Sequence, residues 1–159
     1  MESSTALPAR QRRCLLCAVL VALAAIVPAT SAAERRGTDG TLLRAINAAR
    51  AQNGLSAVHL NDKLDAAAEA HSDAMAASGV FEHTVPGEAE FGDRLAAQDW
   101  HGSSAAENIA LVSRLAITVR LWLASPPHRA ALLSGEYDFV GIGITRGPSG
   151  WYVTADFGR

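Results

Sequence analysis

The sequence predicts an α+β domain in which helices pack on a small antiparallel sheet, and three observations predict it. Apolar residues recur at helical spacing between Thr41 and Met75. The junction Ser125-Pro126 ends one helix and starts another. Two β-rich runs joined by a glycine and proline turn close the chain. Helices come first and strands last, which is the order of an α+β domain.

The N-terminal end reads as a secretory leader over residues 1–33. Arg10, Arg12 and Arg13 precede an uncharged run from Cys14 to Val27, and Pro28 and the small residues after it supply a cleavage region, with cleavage expected after Ala33. The run is shorter than the roughly 20 apolar residues of a spanning helix, and nothing later resembles one, so no membrane span is expected. The chain's 2 cysteines, Cys14 and Cys17, both fall in the run, so the exported domain is expected to stand without disulfides. Of 14 basic and 16 acidic residues, removing Arg10, Arg12, Arg13 and Glu2 leaves 11 and 15, a net charge of −4. The remaining basic residues are scattered, so nucleic acid is excluded as an expected partner. Residues 34–159 are enough for one domain with its own core.

Residues 34–40 are polar, charged and glycine-containing, and are expected to form a disordered lead before a domain over 41–159. Leu42, Ile46 and Ala49 then share a helical face that Asn53-Gly54 stops. A connection over 55–60 sets Leu55 and Leu60 on the core. Asn61 caps a second helix whose buried face carries Leu64, Ala67 or Ala68, His71 and Met75, and Gly79 ends it. His71 is expected to satisfy a ring nitrogen on a backbone carbonyl. Phe81 is expected to be a buried aromatic close to His83, and a loop through Pro86-Gly87 follows. Residues 91–98 can form a short helix with Phe91 and Leu95 inward and Asp93 and Arg94 outward. Trp100 to Ser104 is loop-like, with His101 solvated. Glu107-Asn108 directly before Ile109-Ala110 requires partners for both polar side chains.

Leu115, Val119 and Trp122 lie on one face of a helix that must end near Ser125, because the residue before a proline is pushed out of the α region. Ser125 is expected to cap a second short helix running from Pro126 to about Leu133. This puts His128 in a first helical turn, where the helix dipole disfavours a positive charge and biases the ring to the neutral form that binds a metal or accepts a hydrogen bond. A plain helix-end role explains His128 as well. Phe139 to Ile144 and Trp151 to Phe157 read as a hairpin about the turn Gly147-Pro148-Ser149-Gly150. Gly141 and Gly143 sit inside a strand, the wrong place for a phosphate cradle.

Phe81-Glu82-His83, Glu107-Asn108-Ile109-Ala110, Trp122 through Arg129, and Val140-Gly141-Ile142-Gly143 before Tyr152-Val153-Thr154 and Phe157-Gly158 occur in one order. Together they resemble the CAP superfamily, the SCP-like secreted domains of cysteine-rich secretory proteins, insect venom antigens and plant pathogenesis-related proteins. The likeness runs from about Leu42 to Gly158 and is nearest to the short cysteine-free bacterial type. It implies an α-β-α sandwich with a central antiparallel sheet, and a cleft lined by two histidines and acidic residues. By motif match these are His83, His128 and Glu107, the expected metal ligands, with Asn108, Ser125 and Glu82 lining the cleft. The family's second glutamate falls here near Ala124 and Ser125, its Phe-Ser-His is Phe81-Glu82-His83, and the glycine before the second histidine is Pro127. These departures count against an activity that needs two carboxylates, with Glu82 or Glu88 as the acids placed to lean in.

The expected function is therefore that of a secreted, monomeric, extracellular domain whose cleft binds without turnover. Its ligand is a divalent metal, zinc by donor type and not needed for folding, or a small molecule or lipid, and an extracellular protein partner fits the same location. The alternative is a peptidase-like zinc-dependent hydrolase with Glu107 as general base. No His-Glu-x-x-His pair, nucleophile elbow or cysteine nucleophile supports it, and the cap position already accounts for Ser125. A third possibility is a purely structural polar cluster of the same residues.

Overall fold

The computed structural model describes residues 32–159, with side chains from Gly37 onward. The charged start and apolar run of the leader, and both cysteines, lie outside the described residues. Helix α1 runs Ala32–Gln52, so residues 34–40, expected as a disordered lead, are helical. Ala32, Ala33, Glu34, Arg35 and Arg36 are good helix formers, and Thr41 Oγ1 donates to the Gly37 carbonyl (2.9 Å) across the expected start.

Strand β1 is His59–Leu60, α2 Asp62–Ser78, α3 Phe91–Ala97 and β2 Ala105–Val112. A 3-10 turn, Leu115–Ile117, leads into α4, Thr118–Ala124, and α5 follows as Pro126–Leu132. The hairpin is β3, Phe139–Gly147, and β4, Gly150–Gly158. The sheet order is β1-β3-β4-β2. The expected antiparallel sheet is thus mixed, since β1 runs parallel to β3. It lies where a connection was expected, and Leu60 is 41 % exposed while Val58 fills the core at 1 %. Among the described residues no helix is long and apolar enough to cross a membrane.

Strand alternation builds two cores on the two faces of the sheet. On one, Val140, Ile142, Val153, Ala155, Phe157, Ala110 and Val112 pack with Leu42, Ile46 and Ala49 of α1, Trp122 of α4 and Leu132 of α5. On the other, Ile109 and Tyr152 meet Met75 and Ala76 of α2, and Leu64 and Ala67 of α2 meet Leu95 of α3. This is the α-β-α sandwich. Asn61 caps α2 by accepting from the Lys63 and Leu64 amides, and Gly79 ends it in the left-handed region at φ 72°. Gly141 and Gly143 let α2 lie against the sheet, because a Cβ there would stand 2.0 Å from the Leu64 carbonyl carbon and 2.0 Å from the Ala68 carbonyl oxygen.

Arg50 at the end of α1 is 1 % exposed. It donates to the carbonyls of Ser56 (2.9 Å), Leu132 (3.0 Å), Ser134 (2.8 Å) and Tyr137 (3.4 Å). One side chain thereby ties α1 to the end of α5 and to the chain entering β3.

Candidate functional site

Of the predicted site residues, His83, Glu107, Asn108, Ser125 and His128 gather at the edge of the sheet formed by β2. Glu107 and Ile109 point to the α2 face, and Asn108 and Ala110 point to the α4 and α5 face. Each face delivers one histidine. His83 comes from the loop after α2, and its Nδ1 lies 2.7 Å from Glu107 Oε1. The Glu107 side chain is 3 % exposed and the His83 side chain 57 %. A carboxylate accepts only, so Nδ1 carries the proton and Nε2 remains uncommitted among the described residues.

His128 comes from α5 on the opposite face. The buried Asn108 side chain donates to the His128 carbonyl at 2.9 Å, fastening the first turn of α5 to β2. Asn108, expected as a lining residue, is thus a strut beneath the site. Ser125 occupies the N-cap position but makes no capping bond with its side chain. Its hydroxyl is 2.7 Å from His128 Nδ1 instead. Burial first, and the His83 charge second, lower the His128 pKa below the usual imidazole value, so the two rings feel each other across the β2 edge.

Behind His83 lies a buried ionic network. Arg94 donates to Glu107 Oε2, to the His83 carbonyl (2.9 Å) and to the Ala89 carbonyl (3.2 Å). It was expected to point outward, yet it is 7 % exposed. Its place at i+3 from Phe91 turns it to the helix's inner side, where its guanidinium also lies over the Phe91 ring, 5.7 Å from the centroid. His71 is fully buried, and its partner is a carboxylate where a backbone carbonyl was expected. Its Nδ1 lies 2.9 and 2.8 Å from the two Glu88 oxygens. Its Nε2 is 3.8 Å from Glu107 Oε2 and has no hydrogen-bond partner. Glu88 reaches His71 because Val85-Pro86-Gly87-Glu88 is a tight turn, with the Glu88 amide on the Val85 carbonyl (2.9 Å) and Gly87 at φ 88°. Of the two acids expected to lean in, Glu88 does so. Glu82 is exposed and outside this network, and Phe81, expected to be buried, is 42 % exposed.

Among the described residues no group of three or more His, Cys, Asp or Glu side chains converges as metal ligands. Both Glu107 oxygens are engaged by protein groups, His83 on one side and Arg94 on the other.

Residues 43–157 match the sequence model of the cysteine-rich secretory protein family, CAP. The chain belongs to the CAP family. The fold agrees. An extracellular protein of Bacillus anthracis containing an SCP domain superposes with a TM-score of 0.74 at 26 % identity over 83 % of this chain. This chain spans 44 % of that protein. An outer surface protein of Borrelia burgdorferi gives a TM-score of 0.72 at 21 % identity, covering 78 % of this chain and 93 % of its own. A cysteine-rich secretory protein of Staphylococcus aureus gives 0.62 at 20 % identity, covering 77 % and 38 %. A search of curated protein sequences returns no match.

In this CAP domain the residues that sequence reasoning left out of the site are His71, Arg94 and Asp156. The signal for Asp156 was present. Tyr152, Thr154 and Asp156 alternate with Val153, Ala155 and Phe157, so an acid stands on an inward face among buried neighbours.

Proposed function

We propose that this CAP domain works outside the cell as a binding module, and that its ligand is met by His83 and His128 at the β2 edge. The location rests on the leader-like N-terminal sequence and on relatives described as extracellular and outer-surface proteins. The observation that carries the binding reading is that both rings are held at Nδ1, His83 by Glu107 and His128 by Ser125, leaving Nε2 of each open. Tying one ring nitrogen to orient the other is how proteins prepare histidines as metal ligands. Two such nitrogens suit a divalent ion of the zinc type, with water or part of a second molecule completing its shell. Glu107, expected as a third ligand, serves here as the group that orients His83 and is not counted among the ligands.

Calorimetric titration of zinc into the protein tests this. Saturable binding is expected, weakened at least tenfold by His83→Ala and by His128→Ala. Affinity should also drop as the pH falls through about 6.5, where an ordinary imidazole protonates and competes with the metal. Parent and variants that bind zinc equally, or a parent that does not bind it, would remove the histidine pair from the proposal.

A further inference from the structure

Asp156 has been given no role so far, and its surroundings are unusual for an acid. It stands directly opposite Glu107 on β2 and Gly141 on β3. It is completely buried. Neither of its oxygens receives a hydrogen bond from any N–H or O–H group among the described residues. The charged groups facing it are Glu107 from β2, Arg94 from α3 and Asp65 from α2, two acids against one base, while β3 offers only Gly141. An ionised carboxylate without donors is among the costliest groups to bury.

Glu107 and Asp156 are directly opposite on one face of the β2–β4 pair, where Cβ atoms stand about 4.5–5.5 Å apart, and both side chains are buried, so the two carboxyls are neighbours. Two carboxyl groups bond to each other only when one of them holds a proton. Glu107 is not the holder, because its oxygens already accept from Arg94 and His83. We propose that Asp156 is a neutral carboxylic acid in the folded domain, that its O–H donates to Glu107, and that it thereby positions the carboxylate that orients His83. Burial, and next the Glu107 charge, hold the Asp156 pKa well above the ordinary carboxylate range. A carboxylic acid kept neutral by a dry site so that it can donate is an established device of active sites. The inference stands apart from the zinc reading, since a domain that binds no metal still needs a donor between these two acids.

Carbon NMR of the protein labelled at the aspartate carboxyls tests it, with the Asp156 signal assigned from its loss in Asp156→Asn. The expected result is an Asp156 carbon at its protonated position at pH 7, while exposed aspartates move with midpoints near 4. Nitrogen NMR of His83 supplies the second readout. Asp156→Asn keeps an N–H donor for Glu107 and should leave His83 protonated at Nδ1. Asp156→Ala removes the donor and should shift the His83 signals toward the mixed tautomers of a free ring. An Asp156 carbon that reaches its ionised position by pH 5 overturns the proposal, as do Asn and Ala variants that change His83 equally. If Asp156→Ala does not fold, the labelled parent and Asp156→Asn decide the matter.

Discussion

Ser125 Oγ and His128 Nδ1 lie 2.7 Å apart, so the hydroxyl expected to cap α5 restrains a ring three residues along the chain. The capping role and the ring-holding role make different predictions for one substitution. Ser125→Ala should cost about 0.5–1 kcal/mol, the range of a single partly exposed hydrogen bond. The larger effect should fall on the ring, with zinc affinity reduced about tenfold. Chemical denaturation and calorimetry measure the two quantities. A stability loss without an affinity loss would return Ser125 to a structural role.

Trp122 fastens α4 to β2 by more than area. The ring is 1 % exposed, and Nε1 donates to the Ile109 carbonyl on the outer edge of β2 at 2.9 Å. Trp122→Ala should cost about 3–5 kcal/mol, a large share of a small domain's stability. Trp122→Phe keeps most of the apolar contact and should still cost about 1–3 kcal/mol, because it leaves the Ile109 carbonyl unpaired. Urea denaturation compares them, and a Phe variant as stable as the parent would mean that the indole hydrogen bond contributes nothing.

Arg50 gives the sharpest test of packing across the chain. Its four carbonyl partners come from Ser56, Leu132, Ser134 and Tyr137, and no carboxylate bonds to it among the described residues. Arg50→Met fills much of the same volume yet strands those acceptors, so a loss of about 3 kcal/mol or more is expected. Arg50→Lys should recover only part of this, since one ammonium cannot reproduce the guanidinium fork. A Met variant at parental stability would show that water replaces the arginine at no cost.

The pH dependence of stability should carry a histidine component of known sign. The His128 pKa is lowered in the folded domain by burial and then by His83, so just below pH 6.5 the unfolded chain binds the proton more readily. The contribution is therefore complete above pH 6.5 and declines as the pH falls through 6.5 toward the lower folded value. His128→Asn should lose more stability relative to the parent at pH 7.5 than at pH 5.5, as read by denaturation at both. A difference that grows on acidification would reverse the sign and exclude a lowered His128. The slope from a neutral Asp156 runs the other way, its stability being greatest below about pH 3.8 and falling as the pH rises toward its folded pKa.

Much of this architecture was legible because local chemistry and tertiary need agreed. Asn61 and Gly79 bracket α2, Ser125-Pro126 separates α4 from α5, and the Gly147 to Gly150 turn closes the hairpin. Strand β2 was not read as a strand, because Glu107 and Asn108 are polar on opposite faces and erase the alternation a half-buried strand normally shows. The histidines of the site could be named from motifs, but the network behind them could not. The burial of Asp156 could be read from its strand, but Arg94 looks like a surface charge, and the partners that surround both come from distant parts of the chain, which no local pattern encodes. His71 was correctly placed on the buried face of α2, while its partner Glu88 arrives through a turn 17 residues on.

Asp65 bears on how the domain behaves in a crowd of its own copies. Strand β1 covers β3 only as far as Val140, whose carbonyl takes the Asn61 amide, and the next amide along that edge, from Ile142, is held by Asp65 Oδ1 at 2.7 Å. A carboxylate set into the rim of a sheet occupies a donor that a further strand would need, and its charge opposes pairing there, much as lysines and prolines do on other edge strands. The short β1 therefore hands the edge of β3 to one acidic side chain of α2 at the point where a further strand would begin to pair.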